Sequence, residues 1–333
     1  MHHRFLVWIG AFATAIIVAA ALAPAVQAQT APASSRNSPR TTWGDPDLQG
    51  VWTNTTTTPL ERPKELSEKD VLTEAERAER NSARQAEVSF ERPSQPNATG
   101  NRLDRNPYNE FWAERGALSN RTSLIVNPTD GRLPALTPDA QTKQTARAAA
   151  RKISPADGPE DRSTFERCIT RSLPGSMMPG FYNHNYQILQ TPGYVVIHVE
   201  MIHDSRIIPL DGRAHVGQNI RQWLGDSRGR WEGNTLVVET TNLKPISDRN
   251  ITVFGSAGEK GRVIERFTRV GANAIDYQVT LDDPSTFTKA WTAAIPMTKI
   301  EGPIYEYACH EGNYGMVGIL EGHRAEEKAA SGR

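Results

Sequence analysis

The stretch RVIERFTRVGANAIDYQVTL, residues 262–281, contains the clearest indication of the fold. Two segments rich in Val, Ile, Thr and Tyr, residues 262–270 and 274–281, flank the short connection Gly271-Ala272-Asn273. β-branched and aromatic residues favour strands, and a short connection of this composition favours a hairpin. The stretch therefore predicts two neighbouring antiparallel strands.

The same enrichment in Val, Ile, Thr and Tyr continues on both sides of this hairpin. Further strands are predicted at residues 186–190, 195–208, 235–242, 287–300 and 305–309, separated by short turns. Seven consecutive strands with hairpin connections form a meander, which must curl closed or split into two sheets to hide its edges. We therefore predict a mainly β fold, an antiparallel up-and-down β-barrel or a strongly curved meander.

The residues before the meander are more polar. The sequence predicts strands at residues 47–53 and 122–126, and helices at residues 68–85, 109–118 and 138–152. The predicted organisation is a single domain at 46–320 with a helical, loop-rich insertion at 59–160, followed by a disordered tail at 321–333.

The N-terminus resembles a cleavable signal peptide over residues 1–28. Arg4 precedes an apolar run at residues 5–23, and Val26-Gln27-Ala28 offers small residues before a cut. An uncleaved membrane anchor is the alternative, since about 20 apolar residues span a bilayer. Cleavage is favoured because a polar linker, residues 29–45, follows at once. We expect a periplasmic or secreted protein that is soluble and has no membrane contact after cleavage.

Charge and cysteine content narrow the partners and the compartment. The chain has 38 basic and 38 acidic residues, which disfavours nucleic acid or an anionic membrane as the main partner. Two cysteines in an exported chain favour a disulfide between Cys168 and Cys309. The alternative, a Cys309 nucleophile with His310 as base, is disfavoured because neighbouring strand residues point to opposite faces.

Two resemblances support this prediction. Gly50-Val51-Trp52 on the first strand, followed by a meander, resembles lipocalin-like (calycin) barrels. Three segments resemble a large set of uncharacterised secreted bacterial proteins, a likeness that covers residues 43–320: RGRWEGNTLVVET at 228–240, YNHNYQI at 182–188 and YEYACHEGN at 305–313. The resemblance implies export and a barrel, and it implies no activity.

The segment VVIHVEMIHDSR, residues 195–206, carries the densest chemistry. If it is one strand, its apolar face ends in His203, a candidate general base or ligand-orienting donor. The alternative is a core histidine bonded to a backbone carbonyl. If the polar face points inwards instead, Glu200 and Arg206 form an acid–base centre. With Glu306, an acidic residue in the 305–309 strand, His203 and Glu200 are the catalytic candidates.

The ligand-binding candidates come from a polar cluster before the strand at 186–190, from aromatic residues of the β half and from charged strand ends. They are Asn183, His184, Asn185, Tyr186, Arg206, Trp223, Trp291, Tyr305, Tyr307 and Glu311. Turn formation and core packing are the alternatives for these residues. Glu239 and Glu265, each within a strand, are similar candidates.

A metal site is not predicted from these residues, and no cofactor is expected. Glu200 and His203 are three residues apart, a spacing that places them on opposite faces of a strand. Convergence of His184, His203, His310 and Glu311 from separate strands is the remaining alternative.

Three functions are compatible with the sequence. The first is a barrel that encloses a small, largely apolar ligand. The second is a cofactor-independent enzyme, an isomerase or cyclase, a lyase or a hydrolase, using a His/Glu pair in that cavity. The third is an envelope module that binds another protein. The oligomeric state is left open.

Overall fold

The strands of this chain pair into a single antiparallel sheet that curls until its two edges approach each other. The computed structural model describes residues 39–87, 113–180, 182–246, 257–258 and 260–332. The predicted signal peptide, most of the linker and the first part of the helix predicted at 109–118 lie outside the described residues.

Ten strands form the sheet. They are β1 Gly50–Thr53, β2 Ile125–Asn127, β3 Asn185–Thr191, β4 Tyr194–Val199, β5 Ser205–Pro209, β6 Asp226–Glu232, β7 Thr235–Thr241, β8 Arg262–Gly271, β9 Ala274–Asp282 and β10 Trp291–Lys299. Nine of them follow the order β5-β4-β3-β1-β10-β9-β8-β7-β6, and β2 pairs with β10 outside this path. All pairings are antiparallel. The predicted mainly β, antiparallel barrel is confirmed.

The barrel is nearly closed, because β5 and β6 approach each other at its seam. Gly229 on β6 permits this approach: a Cβ there would lie 2.6 Å from Leu210 Cδ2 and 2.9 Å from Ile208 Cγ2. The side chains of Ile208, on β5, and Leu210, just after it, therefore pack directly on the β6 backbone.

Large side chains fill the interior. Alternate residues of β8 and β9 are buried, as expected for strands with one face towards a core. Trp52, Tyr186, Phe267, Tyr277 and Trp291 are fully buried, and the rings of Phe267 and Tyr277 stack at 4.7 Å. The space inside the described strands is thus a packed core.

Three helices accompany the barrel in the described part of the chain: α1 Glu74–Glu87, α2 Pro138–Ile153 and α3 Tyr314–Ala330. The helix predicted at 138–152 is confirmed as α2, and Thr137 caps it by accepting a hydrogen bond from the Ala140 N–H. None of the helices in the described residues is long and apolar enough to cross a membrane.

The first half of the chain differs from the predicted helical insertion. Within the described residues of this half, α1 and α2 are the helices of several turns, residues 113–118 are irregular, and β2 joins the main sheet through β10. α3 was not predicted, and its second half occupies the segment predicted as a disordered tail. Asn313 caps this helix, because its side chain accepts a hydrogen bond from the Met316 N–H.

Two predicted strands are wrong. The strand predicted at 195–208 consists of β4 and β5, joined by a 3₁₀ turn at Met201–His203 in which Ile202 and His203 have φ of 63° and 48°. The strand predicted at 305–309 is irregular backbone. β6 was not predicted.

The predicted disulfide between Cys168 and Cys309 is confirmed, with Cα atoms 5.6 Å apart and a sequence separation of 141. It fastens the irregular segment that follows β10 to the loop after α2. Cys309 is therefore no free nucleophile in this structure.

Candidate functional site, a groove on the outer face of the barrel

A concavity of about 460 Å³ lies on the outer face of the barrel wall. Three strands form its floor, and the irregular segment at residues 302–306 forms its side wall. Its polar and aromatic lining comes from Gln187, His198, His203, Tyr305 and Glu306. Three of the predicted site residues, His203, Tyr305 and Glu306, meet here. We call this concavity the outer groove.

A row of cross-strand neighbours forms the floor. Val51 of β1 lies opposite Gln187 of β3, which lies opposite His198 of β4. Their sequence neighbours Trp52, Tyr186 and Ile197 are buried inside the barrel, so these three side chains point outwards by strand alternation. The fold itself therefore places His198 and Gln187 side by side.

The side wall is attached to the barrel by Glu200. This carboxylate is 1% exposed; its Oε1 accepts a hydrogen bond from the Tyr305 N–H at 3.1 Å, and its Oε2 accepts from Asn185 Nδ2 at 2.6 Å. Glu200 thus holds the backbone of the side wall and is not itself part of the lining. The structure places it as a positioning residue, away from the lining of the outer groove.

His203 enters the outer groove from the turn between β4 and β5. Its Nδ1 lies 3.0 Å from the Tyr307 carbonyl oxygen, which can only accept a hydrogen bond, so Nδ1 carries the hydrogen. In the neutral ring Nε2 is then an unprotonated acceptor. The positive φ of His203 and of the β-branched Ile202 is uncommon backbone geometry of the kind found at functional sites.

The remaining lining groups differ in their exposure to solvent. Tyr305 is 72% exposed and Glu306 is exposed, whereas His198 is half-buried, with Nδ1 2.8 Å from Ser205 Oγ. His310 lies beside His203, with ring centroids 5.6 Å apart. The outer groove therefore combines two imidazoles, a carboxylate and a phenol.

Arg206 lies inside the barrel and pairs with Glu265 instead of Glu200. Its Nη1 donates to Glu265 Oε1 at 2.9 Å, its Nη2 also contacts that carboxylate, and both side chains are at most 1% exposed. The Tyr277 hydroxyl donates to the same carboxylate at 3.0 Å. The predicted alternative of a Glu200–Arg206 centre is wrong, because the turn at Met201–His203 resets which residues of β5 point inwards.

The Glu265 carboxylate affects the pKa values of both groups that donate to it. Burial acts against the charge of Arg206, but the adjacent Glu265 carboxylate raises the pKa of Arg206 above its ordinary value. Burial, together with the charge of Glu265, raises the pKa of Tyr277 well above its ordinary value. Arg206, Glu265 and Tyr277 are not among the residues that line the outer groove. Arg206 also links β5 across the seam towards Ser227 and Thr240.

The polar residues 183–185 make contacts within the protein itself. His184 is buried with Nε2 3.0 Å from Arg171 Nη1, and burial followed by the Arg171 charge lowers the pKa of His184 to about 3. His184 is therefore neutral and accepts from Arg171. Asn185 is held by Glu200 and by Glu114, and Asn183 adopts a φ of 52°. These contacts match the turn and packing alternatives.

The other candidates are dispersed. Tyr186 and Trp291 are core residues, and the Tyr186 hydroxyl donates to the Ser176 carbonyl at 3.2 Å. Lys244 Nζ lies 4.2 Å from the ring centroid of Trp223. Tyr307 is half-buried against the core, and Glu311 is exposed.

His184, His203, His310 and Glu311 do not come together as a set of metal ligands in the described part of the chain. The one group of three metal-donor residues in that part lies elsewhere and includes none of these four. Of these histidines, only His203 and His310 lie together.

Sequence reasoning missed two features of the outer groove. Neither His198 nor Gln187 is among the site residues predicted from the sequence, although strand alternation places both outwards once β3 and β4 are paired. The anchoring of residues 302–306 by Glu200 has no sequence signal, because the Tyr305 N–H and the Glu200 carboxylate are 105 residues apart.

No protein-family model matches the chain, and no curated protein or solved structure matches it significantly. The resemblance to lipocalin-like barrels and to secreted bacterial proteins stays a prediction. The function is therefore inferred from the geometry of the site.

Proposed function

We propose that this protein is an exported β-barrel that binds a small molecule in the outer groove. The observation that carries the proposal is the convergence of His198, His203 and Glu306 in one concavity of about 460 Å³. That volume is in the usual range of small-molecule sites, about 300–1,000 Å³. The packed aromatic core argues against the interior location expected from the sequence.

The lining favours a ligand with an apolar body and a few polar groups. Pro303, Ile304 and the Tyr305 ring offer apolar surface, whereas His198, His203 and Gln187 offer hydrogen-bond donors and acceptors. A small aromatic or alicyclic alcohol or acid matches this combination. The sequence-based expectation of a largely apolar ligand is thus modified towards a more polar one.

Export is supported by two observations. The Cys168–Cys309 disulfide is typical of proteins from oxidising compartments. The N-terminal residues 1–28 have the composition of a signal peptide. We therefore keep a periplasmic or secreted location as part of the proposal.

A fragment screen tests the binding proposal. A library of small aromatic and alicyclic alcohols and carboxylic acids is added to ¹⁵N-labelled protein, and amide shifts are mapped. We expect the fragments that bind to shift the amide signals of residues 302–306 and of the β4–β5 turn. Tyr305→Ala and Glu306→Gln should each weaken the binding of these fragments. Arg213→Gln, an exposed site outside the lining, is the control. Hits confined to other surfaces, or none in the library, would contradict the proposal.

General acid–base catalysis in the same groove is the second candidate function. It is favoured by the Tyr307 carbonyl, which holds the His203 ring with Nε2 as the acceptor. A base oriented in this way contributes about 10²–10⁴-fold to a proton-transfer step. Glu306, at the same lining, is a second group able to exchange a proton. No specific contact favours the envelope-interaction alternative.

The catalytic candidate is tested with the fragments that bind. Each is incubated with the protein and followed by NMR for chemical conversion. Catalysis predicts a conversion rate that falls at least about 100-fold in His203→Gln while the fragment still binds. His310→Gln, a neighbouring exposed histidine, is the matched control. If every bound fragment stays unchanged, catalysis is refuted and binding is not.

A further inference from the structure

We propose that Asp157, His323 and Glu327 bind one Zn²⁺ ion between the loop after α2 and helix α3. The ligand atoms of these three residues all lie within 4.8 Å of one another. They belong to a part of the molecule distinct from the outer groove, so the inference is independent of the proposed function.

The distances fit a tetrahedral ion. His323 Nε2 lies 3.0 Å from Asp157 Oδ1 and 3.5 Å from Glu327 Oε1. With zinc–ligand bonds of about 2.0–2.2 Å, neighbouring tetrahedral donors are roughly 3.3–3.6 Å apart. His323 and Glu327 are four residues apart on α3 and so share one face of the helix. The two distances from His323 are within a few tenths of an ångström of this spacing, and the Asp157 and Glu327 donor oxygens lie within 4.8 Å of each other.

Both carboxylate ligands are oriented by a second contact. Glu327 Oε2 accepts from Arg324 Nη1 at 2.7 Å, which leaves Oε1 turned towards His323. Asp157 Oδ2 accepts from the Ser154 hydroxyl, which leaves Oδ1 turned to the same point. Outer contacts of this kind fix the orientation of metal ligands in known sites.

The imidazole is largely buried with its far nitrogen unpaired. His323 Nδ1 has no hydrogen-bond partner among the described residues, and the nearest carboxylate oxygen given for it, Glu326 Oε2, lies 3.8 Å away, beyond hydrogen-bond distance. The His323 side chain is only 12% exposed.

A metal ion satisfies this cluster better than a hydrogen bond does. Nε2 of His323 has room for one hydrogen, which can serve only one of the two carboxylate oxygens facing it. An ion serves both oxygens and the nitrogen at once. One imidazole with two carboxylates suits Zn²⁺ and its transition-metal neighbours, whereas Mg²⁺ and Ca²⁺ prefer all-oxygen sites.

The bound ion fastens α3 to the loop at residues 154–157. Arg324 already joins the two through hydrogen bonds from Nη2 to the carbonyl oxygens of Ala156 and Asp157. A metal adds direct bonds at the next turn of the helix. Removal of zinc is therefore expected to loosen α3 while the barrel stays folded.

Isothermal titration with ZnCl₂ tests the site. The untagged full chain is used with His2 and His3 replaced by Gln, so that the N-terminal pair contributes no binding. We expect one Zn²⁺ per chain, no binding of Mg²⁺, and an affinity loss of about tenfold or more in His323→Gln. Asp157→Asn and Glu327→Gln are expected to weaken binding as well, and His310→Gln to leave it unchanged.

Co²⁺ gives a second readout. We expect intense visible absorption from a tetrahedral site, lost in His323→Gln. Circular dichroism checks that the variants are folded, and Asp157→Asn, in an exposed loop, keeps the test valid if His323→Gln is unfolded. The proposal is overturned if the folded protein binds no zinc at micromolar concentration, or if Asp157→Asn and His323→Gln leave the affinity unchanged.

Discussion

Loss of the Glu265 carboxylate should bring the whole barrel close to unfolding. In Glu265→Leu the guanidinium of Arg206, 1% exposed, keeps its charge without a counter-ion, and the Tyr277 hydroxyl loses its acceptor. Removing one member of a buried ion pair costs about 3–5 kcal/mol. A native domain is stable by only about 5–15 kcal/mol, so this single change removes a large fraction of the total.

The assay is urea unfolding, followed by tryptophan fluorescence and by far-UV circular dichroism. Arg206→Met should cost a similar amount, whereas the double variant Arg206→Met/Glu265→Leu should be more stable than either single variant, because no unpaired charge remains. The exposed pair Arg230–Glu232 is the control, and Arg230→Met should cost at most about 1 kcal/mol. Single-variant losses below about 1 kcal/mol, or additive losses in the double variant, would refute the reasoning.

Three further predictions concern the disulfide, a buried histidine and a glycine. The unreduced protein should contain no titratable thiol, and Cys168→Ser/Cys309→Ser should lose up to about 5 kcal/mol for a loop of this length; two thiols in the unreduced protein would contradict this. The pKa of His184 is lowered to about 3, so the unfolded state binds more protons between pH 3 and 6.5. Stability should therefore rise with pH across that window by at most about 1.4 kcal/mol per unit and level off above it, and His184→Gln should remove this contribution; an unchanged pH slope in urea titrations would exclude it. In Gly180→Ala the new Cβ would meet His184 Nε2 at 1.9 Å, which should destabilise the protein by about 1–3 kcal/mol. The control Gly318→Ala, on α3 with nothing within 4 Å, should stabilise it by up to about 1 kcal/mol, and the reverse order of unfolding midpoints would be inconsistent with this packing.

The regular part of the barrel could be predicted because its strands have one buried face and short connections. The strands predicted at 262–270 and 274–281 differ from β8 and β9 by a single residue at one end. The strand predicted at 235–242 also differs from β7 by one residue. Alternation and turn composition are local signals, so no knowledge of the rest of the chain was needed.

The hairpin of β4 and β5 could not be predicted for a physical reason. Met201 and Ile202 are buried although they lie in the turn, so the apolar pattern continues through it without interruption. The turn also contains neither Gly nor Pro and instead places Ile202 at a φ of 63°, which residue type does not indicate. The assignment of Arg206 to a strand face failed as a direct consequence.

That turn also separates two kinds of polar chemistry in this chain. Because the turn reverses the chain, the alternation of β5 is independent of that of β4, and Arg206 can point inwards to Glu265 although His198 points outwards. The interior polar cluster then links strands across the seam, whereas the titratable groups that reach solvent gather on the outer face. The residue types at 198–206 indicate polar chemistry in this segment, but the side of the barrel on which each group lies depends on backbone geometry. The same dependence holds for Tyr305 and Glu306, since a buried carboxylate 105 residues away attaches their segment to the wall.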